Sequence, residues 1–363
     1  MVNLGVIGCG DVAFASYLPG LGGMLDRLNV AACFDIRAER AERAAALYPN
    51  AQAYTDYAAF LAHPGMEAVL NLTPAPLHYE ITTAALRAGK HVYSEKPLAS
   101  RLEDARALIE QARASGLLFL CAPGTVVTPR MRWLKGLLDE RRLGRPTLAT
   151  AQIAAMGPAA WRQYTGDPAV FYSPSVGPLI DNGVYLLHAI TGLFGPARRV
   201  QALGAIAIPQ RKVLIPERYG ETVEVSANDH MLLHLDFGDA TFAQVLSSFA
   251  VARSKAPALE VHCTQGSVSI SLESWYMPDG PIDIYRSDDS IHGIEGWVQQ
   301  ARLPGRAQSR GTLVDGLSHF VGCLEGRETP ALTPEHALHV LEIMLAAERS
   351  AREGRALELE TNF

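Results

Sequence analysis

Short apolar runs recur along the first third of the chain, at 2–7, 29–34, 67–72, 90–94 and 117–121, with stretches of helical periodicity between them near 12–25, 37–48, 55–62, 76–88 and 101–115. This alternation constrains the fold more than any other feature of the sequence. Parallel strands need a crossover connection, a helix supplies it, and the helices then cover both faces of the sheet. Arg87-Ala88-Gly89 ends one of these helices with glycine where the chain turns left-handed. At 363 residues the chain is too long for one compact core, so a second domain is expected.

From 146 onward the pattern changes. The apolar runs lengthen and alternate, at 147–155, 198–208, 228–238, 240–250, 258–264 and 266–272, and Gly238-Asp239-Ala240 reads as a hairpin turn. Such strands predict an open antiparallel sheet with one covered face. Helical segments at 177–194, 312–325 and 334–353 are expected to cover it, and another helix is expected after Pro129, ending at Leu143-Gly144. The break at Ala122-Pro123-Gly124 sets the expected boundary. An α/β domain over 1–122 precedes an α+β domain with an open, mostly antiparallel sheet over 123–363.

The net charge of −6 argues against broad nucleic-acid binding, which requires a basic face. No apolar run reaches the roughly 20 residues that span a bilayer, so no membrane segment is expected. Cysteines at 9, 33, 121, 263 and 323 form no CxxC pair, the pattern of reduced thiols. The chain opens directly on an apolar strand with no basic leader, so a cytoplasmic location is expected.

Val6-Ile7-Gly8-Cys9-Gly10-Asp11-Val12-Ala13 follows the first strand and opens a helix, fitting G-x-G-x-x-G/A. Gly8 allows a tight turn, Gly10 lets backbone approach a pyrophosphate, and Ala13 permits close helix–strand packing. Alone the turn is weakly specific. The second strand, however, ends in Asp35, near the ~20-residue spacing at which a carboxylate accepts ribose hydroxyls. A carboxylate there repels a 2′-phosphate and favours NAD. Arg37 is either a solvated first-turn residue or a group that tolerates the phosphate, which leaves NADP open.

His91-Val92-Tyr93-Ser94-Glu95-Lys96-Pro97-Leu98 closes a later strand of the same unit. Ligands of open parallel sheets sit beyond the carboxyl ends of the strands, so Glu95 and Lys96 point toward the coenzyme site. Pro97 restricts Lys96 to extended backbone and admits a cis bond. A lysine there is either a surface partner of Glu95 or a group that holds a substrate hydroxyl and shuttles its proton.

With these residues the chain resembles the glucose–fructose oxidoreductase, inositol dehydrogenase and rhizopine-catabolism (Gfo/Idh/MocA) family over essentially its full length. The resemblance rests on the glycine turn, on Thr73-Pro74-Ala75-Pro76-Leu77-His78, on Ala88 to Val92 with Glu95-Lys96-Pro97-Leu98, and on Gly177-Pro178-Leu179-Ile180-Asp181-Asn182-Gly183. It implies a Rossmann domain followed by an open α/β domain. It also implies NAD- or NADP-linked oxidation or reduction of sugars, cyclitols or related compounds, in dimers or tetramers built on the outer face of the second sheet.

The resemblance places the coenzyme along Gly8, Gly10, Asp11, Val12, Asp35 and Arg37, and along Thr73, Pro74, Leu77, His78, Glu95 and Lys96. Lys96 matches the family's catalytic lysine, and Asp181 the first acidic residue of its D-x-G-x-H-x-x-D pattern. The chain departs from that pattern in carrying Tyr185 at the histidine position and His188 at the final acidic one. On a helix, 181, 185 and 188 share a face. Lys96, Asp181 and Tyr185 are therefore the expected catalytic set, Tyr185 either donating a proton or only packing. His188 is either structural or a substrate contact. Trp161 and Arg162, on a Pro/Gly-rich loop at 157–178 with Tyr164, Phe171 and Tyr172 nearby, either meet a polyhydroxyl substrate or anchor the loop. Pocket shape is expected to depend on 157–176 and 275–310.

No metal is expected. His230 and His234 on a strand stand roughly 13 Å apart, and His336 and His339 have no cysteine or carboxylate set beside them. The lysine–serine ending of a P-loop is absent. The reading is thus an NAD(P)-dependent dehydrogenase or reductase of a carbohydrate or cyclitol. Its rival is a catalytically silent sensor or scaffold that binds NAD and sugar without turnover.

Overall fold

Strand β1 (Val2–Ile7) is buried at every position but Asn3, the state a largely apolar strand takes at the centre of a parallel sheet. In the computed structural model, which describes residues 1–174, 176–272, 274–277, 280–286, 296–300 and 309–363, β1 is joined by β2 (Leu28–Phe34), β3 (Gln52–Tyr54), β4 (Ala68–Asn71), β5 (His91–Ser94) and β6 (Phe119–Cys121). Their order is β3-β2-β1-β4-β5-β6 with every neighbour parallel. The order reverses between β1 and β4, the switch point where such sheets open a crevice for ligands.

Helices connect these strands. A π-helical turn, Ala13–Tyr17, leads into α1 (Leu18–Gly22), followed by α2 (Ala38–Ala45), α3 (Tyr57–Leu61), α4 (His78–Arg87) and α5 (Leu102–Ser115). Helix α5 shows the causal pattern. Ala105, Leu108, Ile109 and Ala112 form its buried stripe, and Gly116 ends it at φ 64°. Strand β3, three residues at the sheet edge, carries no apolar run and was not among the expected strands.

The chain divides into two units, Met1–Val127 with Arg310–Leu341, and Thr128–Ser309 with Glu342–Phe363. Helix α6 (Pro129–Asp139) opens the second unit, whose other helices are α7 (Val184–Phe194) and the end of α9 (Pro334–Glu353). Helix α8 (Thr312–Leu324) corrects an expectation. It does not cover the antiparallel sheet but packs within the first unit, its Phe320 ring 5.7 Å from that of Tyr93. Arg27 also bonds Glu325, just beyond α8, at 2.7 Å. Periodicity shows which face of a helix is apolar, not which sheet receives it.

The second unit holds, among the described residues, a sheet ordered β16-β15-β14-β13-β7-β12-β11-β8-β17. Its strands are β7 (Pro146–Ala154), β8 (Arg199–Ala205), β11 (His230–Gly238), β12 (Thr241–Ser248), β13 (Leu259–Cys263), β14 (Gly266–Ile270), β15 (Ile282–Arg286), β16 (Trp297–Gln300) and β17 (Leu357–Glu358). Neighbours are antiparallel except β7 and β12, which run parallel. Burial alternates along β11, so one face is covered and one is not. The hairpin at Asp239-Ala240 forms with φ of 49° and 53°, the positive pair that matches strand twist. A separate ribbon pairs β9 (Gln210–Lys212) with β10 (Thr222–Glu224).

Close backbone approach in the first unit requires glycine. A Cβ on Gly124 would stand 2.2 Å from the Thr312 carbonyl oxygen, whereas one on Gly136, inside α6, would meet nothing within 4 Å. Gly124→Ala is therefore expected to destabilise by about 1–3 kcal/mol. Gly136→Ala is expected to stabilise by about 0.5–1 kcal/mol. Urea denaturation of the two variants checks both signs.

Candidate active site

Two glycines do different work at the end of β1. Gly8 has φ +87°, and a Cβ there would stand 2.9 Å from the carbonyl carbon and oxygen of Leu72, so both conformation and space demand glycine. Its N–H donates to the Phe34 carbonyl at 2.8 Å. A Cβ on Gly10 would meet no atom within 4 Å. Among the described residues nothing fills the space above it, which leaves room for a group that approaches from outside. Asp11 and Val12, half-buried, head the helical run that follows, and Ala13 is fully buried against the sheet.

Asp35 ties this turn to β2. Its Oδ2 accepts the Cys9 N–H at 2.8 Å and its Oδ1 the Arg37 N–H at 3.0 Å. Each carboxylate oxygen retains a second lone pair, the capacity two ribose hydroxyls require. Arg37 itself is exposed at the N-cap of α2. Open space over Gly10 beside a carboxylate acceptor at Asp35 fits a dinucleotide.

The ends of β4 and β5 lie across the switch point. Asn71, fully buried, accepts the Thr73 N–H and hydroxyl at 3.1 and 2.7 Å and donates to Thr82 at 3.2 Å, which fixes the Thr73-Pro74 turn. Leu77 is exposed, while His78 is buried with Nδ1 2.7 Å from the Pro97 carbonyl and Nε2 2.8 Å from that of Thr73. Burial lowers its pKa, and the two carbonyls and Glu95 oppose that shift. Glu95 is buried too, its Oε1 accepting the Tyr17 hydroxyl at 2.6 Å and its Oε2 the Lys96 N–H at 3.0 Å. Lys96 is half-buried just past β5, and its bond to Pro97 is cis.

In the second unit, the helical run that ends in α7 begins with a π-helical turn, Leu179–Gly183. Single π turns of this kind occur inside α-helices, frequently at functional sites. Gly183 permits it. A Cβ there would stand 3.2 Å from Ser247 Oγ on β12, and that hydroxyl donates to the Pro178 carbonyl at 2.8 Å. Asp181 thus sits on the π turn rather than at α-helical spacing from Tyr185 and His188. All three are buried, but α7 is buried on every side, so burial does not single out their face.

Sequence reasoning missed Tyr276 and gave Asn182 no role. The Tyr276 ring meets that of Tyr185 at 4.9 Å and 62°, and its hydroxyl donates to Asn182 Oδ1 at 2.9 Å. Asn182 stood inside the matched segment, but no local signal links Tyr276 to it. Trp161, Tyr164 and Phe171 form edge-on pairs with centroids 5.5–6.4 Å apart. Tyr164 and Phe171 pack on a core of Tyr172, Phe249, Val213, Ile215, Val223 and Val225. These aromatics anchor the loop, and Arg162 is exposed beside them. Residue 175 of the first pocket segment, and 278, 279, 287–295 and 301–308 of the second, lie outside the described residues.

Among the described residues no helix is long and apolar enough to cross a membrane, and no group of three or more His, Cys, Asp or Glu is arranged to hold a metal. Gly8→Ala is expected to destabilise by about 1–3 kcal/mol. Gly10→Val should leave stability within about 0.5 kcal/mol yet weaken NAD binding about tenfold or more. Denaturation and titration calorimetry on the two variants separate these effects.

Comparison with known proteins places these features. Residues 2–122 match the model of the GFO/IDH/MocA oxidoreductase family, NAD-binding Rossmann fold, and residues 131–269 match the GFO/IDH/MocA C-terminal domain. A scyllo-inositol 2-dehydrogenase (NADP(+)) of Bacillus subtilis is 26% identical across 99% of this chain and 96% of its own. A dTDP-3,4-didehydro-2,6-dideoxy-alpha-D-glucose 3-reductase of Actinomadura kijaniata is 31% identical across 62% of this chain and 68% of its own. The crystal structure of an NAD binding oxidoreductase from Klebsiella pneumoniae superposes with a TM-score of 0.82 at 23% identity, covering 99% of this chain and 100% of that one.

Proposed function

We propose that this chain, which belongs to the GFO/IDH/MocA oxidoreductase family, transfers a hydride between a nicotinamide coenzyme and a secondary alcohol or ketone carbon of a sugar, cyclitol or sugar derivative. One observation carries the reading. At the carboxyl end of the parallel sheet, the open space over Gly10 and the acceptor at Asp35 occur with a lysine whose backbone is held by a buried glutamate.

The nicotinamide, when bound, accepts or supplies the hydride. Lys96 is assigned the substrate oxygen, which its ammonium holds by a charge-assisted hydrogen bond while passing the proton. Tyr185 is assigned a second proton-donating role, with Asp181 as the partner of a cationic group. The named activities of the relatives, on an inositol and on a nucleotide-linked deoxysugar ketone, support a cyclitol or sugar derivative as substrate.

Incubating the protein with NAD or NADP and a panel of sugars, cyclitols and sugar ketones, while following absorbance of the reduced coenzyme, tests the reading. Turnover is expected, with Lys96→Met lowering it about 10²–10⁴-fold. Coenzyme binding with no turnover across the panel would favour a silent sensor instead. An unchanged rate in Tyr185→Phe would remove that phenol from the chemistry.

Self-association is assigned to the uncovered face of the second sheet. Phe242 and Leu148 are cross-strand partners there, and Leu203 is 70% exposed on the same sheet. The face also holds a groove of about 470 Å³. Exposed apolar rows of this kind mark interfaces. The homodimer or homotetramer is expected to fall to smaller species in Leu203→Glu/Phe242→Glu, read by sedimentation velocity.

A further inference from the structure

His78 was expected among the residues that touch the coenzyme, but its surroundings point to another task. The ring is 1% exposed and both of its nitrogens lie on backbone carbonyls. Carbonyl oxygens only accept, so the ring donates an N–H to at least one of them, and burial closes both nitrogens to an external ligand. The two carbonyls belong to different strand ends. Thr73 lies just past β4 in the turn held by Asn71, and Pro97 follows Lys96 just past β5.

We propose that His78 is a positioning residue for Lys96, acting through the Pro97 carbonyl on one side while anchored to the Thr73 carbonyl on the other. The inference rests on the assignment of Lys96 above. The lysine's own N–H is held by Glu95 Oε2 at 3.0 Å, so the Lys96-Pro97 segment is gripped at two points by two buried side chains. Both grips act on the backbone of the segment. His78 opens α4, so the same imidazole also ties that helix to the strand ends. Glu95 and Lys96 are the charged groups that act on the ring, the former favouring and the latter opposing its proton.

The two nitrogens can be tested separately. The amide nitrogen of asparagine hangs from Cγ as Nδ1 does, and that of glutamine lies one bond further out, as Nε2 does. His78→Asn therefore keeps a donor toward Pro97, and His78→Gln keeps one toward Thr73; both keep a polar group in the buried site. The readout is acetylation of Lys96 in the full chain by an N-hydroxysuccinimide ester over a pH series, quantified by mass spectrometry against Lys135 and Lys255, with NAD affinity measured in parallel.

The expected result is a Lys96 labelling profile within about twofold of the parent in His78→Asn and changed about fivefold or more in His78→Gln, with NAD affinity within about threefold in both. Equal labelling changes in the two variants, or none in His78→Gln, would overturn the assignment. A tenfold loss of NAD affinity with unchanged labelling would make His78 a coenzyme contact and overturn it as well. The labelling needs no substrate. A panel without turnover would therefore sink the hydride-transfer reading and leave this test decisive on its own terms.

Discussion

A Cβ at position 8 would stand 2.9 Å from the backbone of Leu72, and that steric limit governs how closely β1 and β4 finish side by side. Glycine removes the limit and accepts the positive φ, so the chain turns into a helix directly over the switch point of the sheet. Asp35 then locks the turn to the end of β2 through the Cys9 N–H. The space over Gly10 lies beside these contacts.

The second unit solves a comparable problem with a π turn. Gly183 lets Leu179–Gly183 settle on β12, where Ser247 binds the Pro178 carbonyl. The wider turn shifts the phase of the helix, so Asp181 departs from the α-helical spacing it would otherwise keep with Tyr185. The loop before it is held by edge-on aromatics on a core partly supplied by the β9–β10 ribbon. Burying a charged or hydroxyl-bearing side chain in such a framework is unfavourable unless polar groups meet it. The Tyr276 hydroxyl meets that requirement by donating to Asn182, distant from it in sequence, while its ring packs on that of Tyr185.

Most elements were legible because their signals are local. Apolar runs of strand length and glycine stops located β1, β2, β4, β5 and β6 to within two residues. Alternation did the same for β7 and β11 through β14, and for β8 to within three. The strands that escaped notice, β3, β9, β10, β15, β16 and β17, are short or lie at sheet edges or in the ribbon. There, backbone pairing holds the chain and apolar side chains contribute less, so the pattern is weak. Helix α8 was found at nearly its observed limits but assigned to the wrong sheet, since its apolar stripe is compatible with either.

The sequence by itself determined the alternation of strands and helices, and hence a parallel sheet with its chemistry at the carboxyl ends. It also placed Gly8, Gly10, Asp35, Glu95 and Lys96 at those ends, because each follows an apolar run whose length sets where it stops. Only the tertiary structure decided what the neighbouring side chains do. His78 lies between the carbonyls of Thr73 and Pro97, Glu95 turns to Tyr17 and to the lysine's own N–H, and α8 packs within the first unit. The His78–Pro97, Glu95–Tyr17 and α8 contacts join segments far apart in sequence. Local periodicity carries no information about such contacts, which depend on the packing of the folded chain as a whole.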